Sequence, residues 1–168
     1  MTQNEKRQLE YPETKFFKFY NANPKGKITD DCVIRAIAQG QNISWNEAYT
    51  KLFNNSVKLC VMPNNRKNAD AVLKSDGWVR MSQPKHYDGR KVTARELIYY
   101  YSQWKSNVSI IASIGAHHFT CICDINRDNE KPREYKVHDI WDCSDNCIGV
   151  YYIKYTDDLG IIPSFRDL

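Results

Sequence analysis

The hydrophobic rhythm of the chain changes near residue 107. Before it, apolar residues recur at three- and four-residue spacing between polar loops, the period of amphipathic helices. After it they run as short β-branched stretches divided by turns, the pattern of strands. Val33, Ile34, Ala36 and Ile37 form the stripe of a helix opening at Cys32, with Thr29, Asp30 or Asp31 as cap and Gly40 as its end. Ser44 with Glu47 is a capping box, and its helix is expected to reach Asn55, with Ala48, Leu52 and Phe53 inward. A third helix is predicted from Asn68 to Lys74, stopped by Asp76-Gly77, with a short strand starting at Trp78-Val79. Thr93 with Glu96 opens a further helix carrying Leu97, Ile98, Tyr100, Tyr101 and Trp104.

Four strands are expected in the second half: Val108 to Ile114, His117 to Ile125, Glu134 to Trp141 and Ile148 to Tyr155. The turn between the second and third runs from Asn126 to Pro132, and the short spacings predict antiparallel neighbours. Lys15 to Tyr20 reads as a short strand or extended segment, and residues 1–14 as a loose polar arm. The expectation is an α+β fold: N-terminal helices packed on a C-terminal antiparallel β-meander, in one domain spanning residues 15–168.

Composition narrows the function classes. A net charge of +4 is scattered rather than clustered, so nucleic acid is not the expected partner. No apolar run of membrane-spanning length occurs, and the polar start Met1 to Arg7 does not resemble a secretory signal. Six cysteines in a chain of this length do not make a disulfide scaffold, so free thiols in a reducing cytoplasm are the default.

The chemistry centres on Cys32. A thiol in the first turn of a helix faces unpaired backbone N–H groups and the positive end of the helix dipole, which favour the thiolate. Its partners are expected from the strands. His117 and His118 open one strand, and alternation turns them to opposite faces, with Thr120 and Ile122 sharing the face of His118. In the next strand Tyr135, Val137, Asp139 and Trp141 share a face, with His138 and Ile140 on the other. An antiparallel pairing of the two strands brings an imidazole beside a carboxylate, which fixes its tautomer and lets it deprotonate the thiol.

The order of Asp31-Cys32-Val33-Ile34-Arg35-Ala36, His118-Phe119-Thr120 and Asp139-Ile140-Trp141-Asp142-Cys143 resembles papain-like cysteine peptidases. The spacing is most similar to small bacterial members such as bacteriocin-processing peptidase domains, and to small uncharacterised phage and bacterial proteins. The resemblance implies a papain-like fold with Cys32 as nucleophile, His118 as general base and acid, and Asp139 as the orienting residue. It further implies a peptide or protein substrate, no cofactor and no metal, with Trp141 as a shielding residue beside the site. Such enzymes carry a Gln six residues before the cysteine to hold the oxyanion; Gly26 stands there, so Asn21 or Asn23 is the expected amide donor.

Four alternatives stay open. His117 can replace His118, and Asp142 can replace Asp139. Zinc held by Cys121, Cys123, Cys143, Cys147 and His138 is a rival use of the thiols, although the i, i+2 spacing on a strand differs from the usual knuckle. A non-enzymatic phage or bacterial protein that binds a host protein or nucleic-acid complex on the same scaffold is the competing function. Arg35 reads as a salt-bridge partner on the helix face or as a residue near an anionic substrate.

Overall fold

The computed structural model describes residues 1–103, 107–127 and 131–155. Among them are five helices and a six-stranded mixed sheet, a mixed α+β fold. The helices are α1 (Gln3–Glu10), α2 (Cys32–Gln41), α3 (Trp45–Leu59), α4 (Arg66–Ser75) and α5 (Ala94–Ser102). The strands are β1 (Phe17–Phe19), β2 (Val79–Met81), β3 (Val108–Ile114), β4 (His118–Asp124), β5 (Tyr135–Asp139) and β6 (Ile148–Tyr155). No helix is long and apolar enough to cross a membrane among the described residues.

The strand order is β1-β5-β4-β3-β6-β2. Only β3, β4 and β5 follow one another as a meander. β6 returns to the other edge of β3, pairing from Val108↔Tyr155 to Ile114↔Ile148. The free edge of β5 is taken by β1, which runs parallel to it with Phe17 beside Val137. The sheet is therefore neither wholly C-terminal nor wholly antiparallel. Two of its strands come from the helical half, and one pairing is parallel.

Alternation along the strands divides the core in two. Ile110, Ala112, Ile122, Val137, Tyr151 and Ile153 pack with Leu97, Ile98 and Tyr101 of α5. Ile111, Phe119, Cys121, Cys123 and Tyr152 pack with α2, α3 and α4. The helices thus cover both faces. Phe119 rather than Thr120 or Ile122 lies against the α2 side, so His118 does not meet Cys32 across the middle of the helix. They meet where the helix and the strand both begin.

Local chemistry explains most boundaries. Ser44 and Glu47 cap α3 reciprocally, and Thr93 and Glu96 cap α5 in the same way. Thr2 and Glu5 form a third such box, so the expected loose arm contains α1. α3 continues past Asn55 to Leu59, closed by Cys60 in the left-handed conformation. Phe53 on this helix is 47% exposed and not inward. Gly40 does not end α2; Asn42 does, at φ 54°. Gly40 is instead a close-packing position, where a Cβ would lie 2.9 Å from Ile111 Cδ1 and 3.1 Å from Trp78. Trp104, residues 128–130 of the expected turn and residues 156–168 of the expected domain lie outside the described residues.

Candidate active site

α2 is the one described helix whose cap residue does not cap with its side chain. Asp31 occupies the position, but its carboxylate is engaged elsewhere. One oxygen pairs with Arg35 one turn on, and the other accepts from Trp45 Nε1 at 2.9 Å. The N–H groups of the first turn are left to face a cleft, and Cys32 is the first residue of that turn.

The structure brings Cys32, His118 and Asp139 together. His118 opens β4 and Asp139 closes β5, and these strands pair antiparallel with Cys121 opposite His138. That register sets Asp139 diagonally from His118. His118 Nε2 lies 2.6 Å from Asp139 Oδ2. Asp139 Oδ1 accepts from the Ile140 amide at 2.7 Å and lies 3.6 Å from Arg35 Nη2. Arg35 is buried between the two aspartates, so one cation steadies both the helix start and the orienting acid.

The Trp141 indole nitrogen lies 3.2 Å from His118 Nε2, and the two rings are 5.2 Å apart. One ring nitrogen cannot both donate to a carboxylate and accept from an indole. The shorter, charge-assisted bond to Asp139 claims the Nε2 proton, so Trp141 acts here by packing over the imidazole. His118 Nδ1 remains for the thiol.

Burial pushes the Cys32 thiol up, but hydrogen bonding to His118 and to the Phe119 amide, with the charges of His118 and Arg35, leaves its pKa below the ordinary value. Burial likewise opposes charge on His118. The hydrogen bond to Asp139, contacts with Cys143 and Cys32, and the Asp139 charge outweigh it and push the pKa up to about 11. The arrangement favours a thiolate–imidazolium pair held in orientation by a carboxylate.

The pair opens on a cleft of about 680 Å³, with Thr29, Asn64, Arg66, His117, Phe119 and Trp141 in its wall. His117 is exposed; its carbonyl oxygen, 3.8 Å from Cys32 Sγ, is the part that touches the thiol. Asp142 turns away and accepts from the Ser144 amide at 2.9 Å. Asn21 and Asn23 do not line the cleft. Asn21 donates to Asn4 Oδ1 at 2.9 Å and to the Lys27 carbonyl at 3.0 Å, while its own oxygen accepts from the Asn23 amide. Asn23 Oδ1 accepts from the Lys25 amide. Both close the loop that Asn and Pro residues build there.

The zinc grouping is not assembled. Cys121, Cys123 and His138 lie on the α2 face, Cys143 is buried in the α5-side core, and Cys147 is exposed. Among the described residues the one set of donors with metal-like spacing is His118, Asp139 and Cys143, whose ligand atoms lie within 4.8 Å of one another. Its centre is occupied by the hydrogen bond between His118 and Asp139.

Sequence reasoning missed the supporting residues. Trp45 reaches Asp31 across 14 residues, and Asn64 donates to the Asp30 carbonyl at 3.2 Å across 34. Neither has a local signature. Comparison with protein-family models, with curated proteins and with solved structures gives no match.

Proposed function

We propose that the chain is a papain-like thiol hydrolase that cleaves an amide or isopeptide bond of a peptide or protein through a thioester. The Cys32 thiolate attacks the carbonyl carbon, its proton already resting on His118 Nδ1. His118 gives that proton to the leaving amine as the C–N bond breaks. A water then attacks the thioester with His118 as base, and the carboxylate product leaves the restored thiol. Asp139 holds the imidazole and stabilises its charged form. The oxyanion meets the Cys32 backbone N–H at the uncapped start of α2. The observation that carries this reading is the 2.6 Å contact of His118 with Asp139 beside a thiol of lowered pKa at a helix start. A cytoplasmic setting, and a bacterial or phage origin, belong to the same proposal.

The second reading, a non-catalytic binding protein on a papain-like scaffold with a host protein as partner, draws on one observation. Both amides expected to hold the oxyanion, Asn21 and Asn23, lie outside the cleft.

Two measurements separate the readings. Iodoacetamide at pH 6–7 is expected to label Cys32 ahead of the other five thiols, read by peptide mass spectrometry. A p-nitrophenyl ester is expected to release a burst of one equivalent, lost in Cys32→Ser. Uniform slow labelling without a burst overturns the catalytic reading.

A further inference from the structure

The Cys32 cleft carries a charge that the proposed chemistry does not use. Asp30, Arg35 and Arg66 stand in its wall with His117 and His118. Arg35 is buried and committed to Asp31 and Asp139, so it is not the residue that meets an anionic substrate. Arg66, the first residue of α4, is the other arginine of the wall.

The position of its guanidinium follows from Phe119. The Arg66 guanidinium carbon lies 5.7 Å from the centre of the Phe119 ring, within the range of a cation–π contact. Phe119 also lines the cleft, and its backbone N–H bonds the Cys32 thiol. The charge is therefore held beside the residue that touches the reactive sulfur.

The helix does not account for Arg66. The first turn of α4 holds no acid, and the positive end of a helix dipole disfavours a cation there. Arg66 is exposed, and among the described residues its side chain has no ion pair and no hydrogen bond. Asp30, the one acidic residue of the wall, does not pair with it, although Asn64 ties the start of α4 to the Asp30 carbonyl at 3.2 Å. Five N–H donors in a planar fork are thus left without an acceptor, and that fork matches a carboxylate with two parallel hydrogen bonds.

We infer that the peptide taken by the Cys32 cleft carries a carboxylate next to the bond that is cut, an acidic side chain or a chain terminus, and that Arg66 holds it. The inference rests on the hydrolase reading and names the substrate class of that same site. Arg66 is a specificity residue, with no part in the bond-breaking steps.

The first test alkylates Cys32 with iodoacetate and with iodoacetamide at pH 7 and low ionic strength, read by peptide mass spectrometry. The ratio of the two rates reports attraction for a carboxylate, because any change in thiol ionisation cancels in it. Normalised to the exposed Cys60 and Cys147 of the same chain, the ratio at Cys32 is expected to fall about fivefold in Arg66→Met, the effect of one unit charge at about 4 Å in water. Lys67→Met removes an exposed cation outside the cleft wall and is expected to leave the ratio nearly unchanged. The second test finds the source of the carboxylate from protection of Cys32 against iodoacetamide. Acetyl-Ala-Glu-Ala-amide offers an acidic side chain, acetyl-Ala-Gln-Ala offers a terminal carboxylate, and acetyl-Ala-Gln-Ala-amide offers neither. Protection by the first or the second above the third assigns the source and is expected to be lost in Arg66→Met. A ratio unmoved by Arg66→Met overturns the proposal, as does an equal fall in Lys67→Met, or equal protection by all three peptides or by none. Uniform slow labelling of all six thiols by both reagents overturns the hydrolase reading instead, so the two failures are told apart.

Discussion

His118 Nε2 and Asp139 Oδ2 are 2.6 Å apart, one on the first residue of β4 and the other on the last of β5. An ionised carboxylate only accepts, so this contact holds a proton on Nε2 and leaves Nδ1 as the ring nitrogen available to the Cys32 proton. The chemistry proposed for the cleft depends on that tautomer.

Asp139→Asn is expected to invert it. The Ile140 amide keeps a carbonyl oxygen on one side of the Asn, so its NH2 faces His118. With the Trp141 N–H 3.2 Å away, Nε2 then meets donors only and must accept. The proton moves to Nδ1, and the thiol loses its base. Alkylation of Cys32 at neutral pH is expected to fall at least about tenfold, and any hydrolytic turnover by roughly 10²–10⁴. Unchanged alkylation kinetics would show that Asp139 does not set the tautomer.

Stability should carry the same signature. The pKa of His118 rises from an ordinary 6.5 to about 11 on folding, so the folded state binds the proton more tightly. Its contribution is full below pH 6.5 and fades as pH rises toward about 11. The lowered Cys32 thiol titrates with the opposite sign and is best removed as Cys32→Ser. In that background urea unfolding is expected to show stability declining across this window, with the decline absent once His118→Gln is added. A slope that survives His118→Gln would assign it to other groups.

Much of this site was legible where the signal is local. Cys32 at a helix start, His118 at a strand start and Asp139 at a strand end follow from patterns within a few residues. So do the capping boxes at Ser44 and Thr93. What escaped is long-range or ambiguous in meaning. The parallel pairing of Phe17 with Val137 joins segments 120 residues apart, and no periodicity announces it. Asn21 and Asn23 stand close before Cys32 in sequence, yet their side chains fold back on their own loop. The cleft wall is reached instead by Asn64 from the turn between α3 and α4. Gly40 could mark a stop or a contact, and only the position of Ile111 decides.

Gly40→Ala makes that distinction measurable. In a solvent-facing helix the change would stabilise by about 1 kcal/mol. Here the new Cβ would sit 2.9 Å from Ile111 Cδ1 and 3.1 Å from Trp78, and both side chains are buried. Overpacking costs about 1–3 kcal/mol, so a net loss of about 1 kcal/mol is expected in chemical denaturation. A gain in stability would mean that the Ile111 side chain moves freely and that Gly40 is an ordinary helix position.

Arg35 is the joint between the fold and the site. Its guanidinium pairs with Asp31 and lies 3.6 Å from Asp139, all three side chains being buried. Removing the cation leaves two buried carboxylates facing each other's field, one held by Trp45 and the other by His118. Arg35→Met keeps the bulk of the aliphatic stem but not the charge, and is expected to destabilise by about 3–5 kcal/mol. Asp31→Asn in the same chain removes one unpaired charge and should restore part of that loss, because the two effects share a network. The remaining negative charge at Asp139 then has only His118 to balance it. In the double variant His118 should therefore hold its proton at least as tightly as in the native protein. An NMR titration of the His118 ring checks this directly: a pKa that falls toward the ordinary imidazole value would show that Arg35, and not Asp139, organises the imidazole.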